Sequence, residues 1–270
     1  MWSFTADLAA FPAAATAFLL DDPVGNTVPL TVMAAVRSGQ PAEGAYYGWW
    51  SVDGQVRGVA FRTPPAPLGL AVMPAEAVAE LATALGEREI PEVMGPRELV
   101  GGFSRARGAA LAHTVEERLY RLGRLTPPDV PGEGRRAVPG DLPLLVSWYH
   151  AFGEEISVSA DRGDQTERVL RRIASGDLFL WTDGGAPVSF AGLSIAQGGV
   201  SRIGPVYTPP SCRRRGYGAA ITAHASRVGL DERAKEIVLF TDLGNPTSNA
   251  IYRSIGYEPH ADYAHVTYAP

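Results

Sequence analysis

The segment from Val200 to Gly218 reads as strand, glycine-rich turn and helix start, and few backbones accept that order. Val200–Val206 is an apolar, β-branched run ended by Tyr207-Thr208-Pro209-Pro210, and Arg213-Arg214-Arg215-Gly216-Tyr217-Gly218 leads into Ala219–Val228, whose small residues predict a helix. A turn of this kind aims several backbone N–H groups and the positive end of a helix dipole at one place, which favours a phosphate or diphosphate. Gly216 and Gly218 put no Cβ between ligand and backbone, and Ala219 keeps the first helical turn slim. Arg213 adds a fork of charged donors at the entrance. The spacing is neither that of a P-loop nor the G-x-G-x-x-G of a dinucleotide site. For the arginine triplet alone, a solvated cluster in a tight turn is the better reading.

The next segment sharpens the reading. Glu236–Asp242 is a strand pattern, Leu243-Gly244 ends it, Asn245 caps a helix whose first position is Pro246, and Gly256 closes that helix. Asn245, Asn249 and Tyr252 recur at i, i+4 and i+7, so one face carries two amides and a phenol, with Ile251 and Ile255 as an opposite apolar stripe. Alone, such a face also fits a solvent-exposed helix with a surface tyrosine.

Together the two segments resemble the GNAT superfamily of acyl-CoA-dependent N-acetyltransferases. The match rests on Val206-Tyr207-Thr208-Pro209, then Arg213-x-x-Gly216-x-Gly218, then Asn245-x-x-x-Asn249-x-x-Tyr252-x-x-x-Gly256-Tyr257, and covers roughly residues 178 to 260. The resemblance implies an α/β fold with a mixed sheet, in which two parallel strands splay apart to admit the pantetheine arm of acetyl-CoA. It implies backbone contacts from Val206 and Tyr207 to that arm, and a diphosphate cradle from Arg213, Arg214, Arg215, Gly216, Tyr217, Gly218 and Ala219. Asn245 and Asn249 fall at cofactor-contacting positions, and Tyr252 at the general acid. A phenol of pKa ~10 can return a proton to the departing thiolate. Many members take the amine proton with a carboxylate on the strand before the loop, and Val200–Val206 has none. Glu154 and Glu155 are the substitute bases, although they also read as a plain acidic helix end.

The remaining chain predicts a duplication. Trp50 followed by Asp53-Gly54 and Trp181 followed by Asp183-Gly184 stand about 130 residues apart at equivalent points of two hairpins, and Gly95-Pro96 and Asn245-Pro246 each join a short strand to a helix. With 270 residues, at ~150 per domain, one large or two ordinary domains fit. The expected division is a degenerate GNAT-like unit over 1–128, a Pro/Gly-rich linker over 129–136 and a catalytic GNAT unit over 137–270. The first unit has Met73-Pro74-Ala75-Glu76 where a cradle would stand, so it is expected to bind no coenzyme A and to shape the acceptor pocket or replace a dimer partner. Within it, Leu8–Leu20 and Pro74–Leu85 read as helices, Ala45–Trp50 and Val56–Phe61 as a hairpin, and Leu68–Met73, Ile90–Met94 and Arg118–Leu125 as strands.

Composition excludes several classes. Lys plus Arg number 24 against 29 Asp plus Glu, a net charge of −5, so no positive field gathers nucleic acid. The single cysteine, Cys212, cannot form an intramolecular disulfide, which points to a reducing, cytoplasmic setting. The five histidines lack metal-ligand spacing, so no metal is expected, and His224 reads as a packing residue. Leu8–Leu20 is 13 residues, short of the ~30 Å of a bilayer core and interrupted by Pro12, so no membrane segment is expected. The expected activity is acetyl transfer from acetyl-CoA to a small-molecule or peptide amine, by direct attack in a ternary complex, from a monomer or homodimer. The competing reading is a non-catalytic acyl-CoA-binding sensor or interaction module.

Overall fold

The computed structural model describes residues 1–155 and 165–269. Its first elements are β1 (Trp2–Thr5), α1 (Ala13–Asp21), α2 (Thr27–Arg37), β2 (Tyr46–Val52), β3 (Gln55–Arg62), β4 (Leu68–Leu70), α3 (Ala75–Ala84), β5 (Glu92–Pro96), α4 (Arg97–Arg107) and β6 (Leu111–Leu122). There follow β7 (Glu133–Arg136), α5 (Leu142–Glu155), α6 (Thr166–Ala174), β8 (Leu178–Asp183), β9 (Ala186–Leu193), β10 (Val200–Tyr207), α7 (Tyr217–Glu232), β11 (Glu236–Asp242), α8 (Pro246–Ser254) and β12 (Tyr257–Tyr268). They form two compact units, one of Met1–Leu119, Thr241–Gly244 and His260–Pro270, the other of Tyr120–Phe240 and Asn245–Pro259.

Both units repeat one order of elements. In the first, β1, β2, β3 and β4 pair antiparallel in succession and β4 pairs parallel with β5. In the second, β7, β8, β9 and β10 pair antiparallel and β10 pairs parallel with β11. Each parallel pair needs a crossover helix, supplied by α3 and α7. The hairpins match in detail, because each carries a register shift just after its tryptophan, between Trp50 and Ser51 and between Trp181 and Thr182. Their turns use left-handed residues, Asp53 and Gly54 in one, Gly184 and Gly185 in the other.

Strand alternation builds a core on each face of each sheet. In β3, Val59 and Phe61 join Leu19, Met33 and Tyr47, while Ala60 joins Leu68, Leu81, Val93 and Phe103. In β8, Phe179 joins the Ala219, Ile221, Ala223 and Ala225 stripe of α7, while Leu178 and Leu180 join Leu145, Trp148, Val169 and Ile173 of α5 and α6. The second unit thus carries α7 on one face and α5 with α6 on the other, which sets what can reach the end of β10.

Several boundaries differ from the sequence reading. Pro12 divides Leu8–Leu20 into a short 3₁₀ turn at Leu8–Ala10 and the helix α1, which Pro12 precedes as a cap. Helix α2 was not among the expected elements; its Pro29 lies in the first turn, where no N–H partner is lost. The Pro/Gly-rich stretch ends in β7, which pairs with β8 from Glu133↔Thr182 to Arg136↔Phe179. Strand β6 begins seven residues before Arg118, the expected start, and β12 has no counterpart in the expectation.

Candidate active site

Strands β10 and β11 pair in parallel from Val200↔Glu236 to Ile203↔Leu239, and the pairing stops there. Strand β10 continues to Tyr207 along β9, with a register shift between Ile203 and Val206. The shift lies just past the last β10–β11 pair, where a bulge can turn one strand away from its parallel neighbour. Pro205, inside the shift, has no N–H to donate. Tyr207 is fixed from the other side, its carbonyl accepting from the Ser189 hydroxyl at 2.9 Å.

The turn after β10 follows the predicted order. Arg214 has φ +62° and Gly216 φ +82°, with Gly216 at the cap position of α7. Left-handed residues on either side of Arg215 curl the backbone so that N–H groups converge. Among the described residues, the N–H groups from Arg214 to Ala219 meet no hydrogen-bond acceptor, and the first helical bond runs from Ala220 N–H to Gly216 C=O at 3.0 Å. A Cβ on Gly216 would stand 2.7 Å from Val130 Cγ2, so space and φ both demand glycine. The Tyr217 hydroxyl donates to Asp183, a bond that raises the phenol pKa, while Arg215 of the turn acts on it in the opposite direction. Tyr217 contributes backbone to the cradle, and its ring anchors α7.

Arg213 is held at the end of β10. Its Nε donates to the Thr208 carbonyl at 2.8 Å, its guanidinium lies 5.8 Å from the Tyr207 ring centroid, and it pairs with Glu155. Burial, then the charge of Glu155, raises the Tyr207 pKa, and Glu154 adds to it. Both acidic residues at the end of α5 therefore stand near the strand end. Glu155 is engaged by an arginine, and both glutamates are exposed.

Helix α8 starts as expected, with the Asn245 side chain accepting from Ser248 N–H at 3.0 Å. Asn249 is buried, its carbonyl oxygen accepting from the Tyr120 hydroxyl at 2.8 Å and its amide donating to Asn245 C=O at 2.8 Å. Tyr252 departs from the helix-face expectation. It does not stand opposite Ile251 and Ile255 but packs with them against one apolar cluster. Burial raises its pKa to about 12. Its ring meets Tyr257 edge to face at 6.1 Å, and the Tyr257 hydroxyl sits 2.6 Å from Ser226 Oγ. Ser226 gives its own proton to Thr222 C=O, so Tyr257 donates in that pair.

The structure also answers for the residues set aside. His224 sits edge-on to Phe179 and Trp181, and burial, then Arg136, lowers its pKa, so it packs as a neutral ring. No group of three or more His, Cys, Asp or Glu gathers among the described residues, and none of their helices is long and apolar enough to cross a membrane. Tyr120, Tyr149, Arg172 and Ser189 were missed, because their partners lie 129, 23, 32 and 18 residues away and no motif spacing marks them.

A parallel strand pair followed by a glycine turn at a helix start is the arrangement of the GNAT fold; the second unit has it, and the first repeats the order of elements without the glycine turn. Residues 145–257 match the model of the acetyltransferase (GNAT) family, and that segment is a GNAT-family domain. No curated protein matches the chain. Among solved structures, a GNAT-family acetyltransferase from Colwellia psychrerythraea is similar over 100% of both chains, with 12% identity and a TM-score of 0.67. A GCN5-related N-acetyltransferase from Sphaerobacter thermophilus is similar over 99% of this chain and 95% of its own, with 16% identity and a TM-score of 0.65. A tandem GNAT protein from the clavulanic acid biosynthesis pathway covers 99% and 98%, with 11% identity and a TM-score of 0.60. At such identities these likenesses establish the fold, including its two-unit form.

Proposed function

We propose that the second unit transfers an acetyl group from acetyl-CoA to an amine acceptor by direct attack in a ternary complex. The observation that carries this reading is the run of unsatisfied N–H groups from Arg214 to Ala219 beside the slot between β10 and β11. A diphosphate suits that cradle, since it supplies acceptor oxygens and negative charge where the helix dipole favours them. An extended amide-bearing arm suits the slot, because it can bond to the backbone of Val206 and Tyr207 as an added strand does. Exposed Arg214 and Arg215 add positive charge at the mouth.

Acetyl-CoA supplies the activated acyl group, and the chain supplies orientation and proton handling. Tyr252 is the proton donor to the leaving sulfur, and its raised pKa keeps it protonated throughout the neutral range. Glu154 and Glu155 stand on the acceptor side as proton acceptors, Glu155 held by Arg213. The acceptor is a small-molecule or peptide amine that arrives neutral or loses its proton there, and acidic residues at the strand end favour one that is cationic in solution. Calorimetric titration with acetyl-CoA, followed by thiol release across a panel of amines, tests the proposal. Binding with acceptor-dependent thiol release is expected. Binding without release would leave the chain an acyl-CoA-binding module, and no binding at millimolar acetyl-CoA would end the reading altogether.

A further inference from the structure

Arg172 stands where the slot begins, and nothing so far gives it a task. It lies on α6, within the face that α5 and α6 cover. Its Nη1 donates to the Tyr149 hydroxyl at 2.7 Å and to the Gly204 carbonyl at 3.1 Å, and its Nη2 donates to the Leu193 carbonyl at 3.2 Å. Among the described residues no carboxylate pairs with it. A charged, planar donor that spends itself on two main-chain carbonyls fixes backbone, because each bond is directional and the fork holds both acceptors at a set separation. The two carbonyls belong to neighbouring strands. Leu193 ends β9 and pairs with Ile203, and Gly204 is the first residue of the register shift between β10 and β9, just past the last β10–β11 pair at Ile203↔Leu239.

The sequence makes room for this group. A Cβ on Gly192 would overlap the Arg172 guanidinium, standing 2.7 Å from its Cζ. Gly192 has an ordinary strand conformation, so what its missing side chain provides is space for the arginine.

We propose that Arg172 is a positioning residue for acyl transfer: by clamping Leu193 and Gly204 it holds the shift in β10, and so the end of the slot where thioester and amine meet. This rests on the function proposed above. It predicts that loss of the clamp spares coenzyme binding, which the turn at Arg214–Ala219 carries, while the reacting carbon loses its alignment.

Two variants test it, Arg172→Gln and Gly192→Ala. The second keeps the arginine and displaces only its flexible end, so the two share the clamp and little else. In ligand-free protein, amide exchange at Val206 and Tyr207 is expected to quicken about tenfold or more in both, with Leu239 and Val200 unchanged. In turnover, kcat is expected to fall about tenfold or more in both, with KM for acetyl-CoA within about threefold of the parent. Wild-type exchange at Val206 and Tyr207 in both variants would overturn the clamp. Faster exchange with kcat within about twofold of the parent would overturn its role in transfer. Should the parent bind acetyl-CoA without turning over any amine, the transferase reading and the turnover half of this inference both fall, and the exchange result alone decides whether Arg172 holds the strand.

Discussion

Tyr252 is a phenol kept neutral by its surroundings. Burial raises its pKa from 10.0 to about 12, so the phenol stays protonated wherever the fold persists near neutrality. Replacing it with Phe keeps the ring against Tyr257 and removes the proton. Turnover is then expected to fall by about tenfold or more, with the acetyl-CoA dissociation constant within about threefold, as steady-state kinetics and calorimetry would measure. Unchanged turnover would take the acid role from this residue. The shift also fixes a pH dependence. A folded pKa above the unfolded value means that the unfolded chain loses its proton first, so the stabilisation is complete below pH 10 and is lost as pH rises from 10 through about 12. Urea midpoints measured across that window should fall less steeply for Tyr252→Phe than for the parent.

At the scale of elements, what could be read in advance was punctuation. Gly216 before α7 and Gly218 in its first turn, Asn245 before α8 and Pro246 at its first position, and Gly256 after it act on their own backbone, so their residue types announce those boundaries. The first β hairpin and its counterpart were legible for the same reason, through Asp53-Gly54 and Asp183-Gly184. Partners remote in sequence were not. Asn249 accepts from Tyr120, 129 residues away, which no motif announces, and the stripe of α8 reads differently once Tyr252 is seen against Ile255. Two measurements belong here. Gly216→Ala places a Cβ against Val130 at a left-handed residue and should cost about 1–2 kcal/mol in urea denaturation while weakening acetyl-CoA binding about tenfold. Asn249→Ala leaves the buried Tyr120 hydroxyl without its acceptor and should cost about 1–3 kcal/mol. A cost below about 0.5 kcal/mol would mean that α8 is not anchored there.

At the scale of the whole molecule, the two units share an order of elements but differ at the one place that matters for a coenzyme. In the first unit, β4 pairs with β5 at Leu68↔Val93 and Gly69↔Met94, and Gly95 continues so closely against β4 that a Cβ there would stand 2.8 Å from Leu70 Cβ. The two N–H groups directly after β4 are spent within the unit, Ala71 on Val59 C=O at 3.0 Å and Val72 on the Asn26 side chain at 2.9 Å. Asn26 is itself buried, its amide donating to Leu19 C=O at 3.3 Å. Helix α3 then starts at Pro74, an extended residue without an N–H, where the second unit has left-handed Gly216. A glycine that draws two strands together and an asparagine that caps the emerging backbone are the reverse of a slot and a cradle. One acetyl-CoA per chain is therefore expected in a calorimetric titration, and Gly216→Ala should weaken that single transition without uncovering another. A stoichiometry near two would show that the first unit opens a site of its own, and with it that the difference between the units at Leu70–Pro74 does not govern binding.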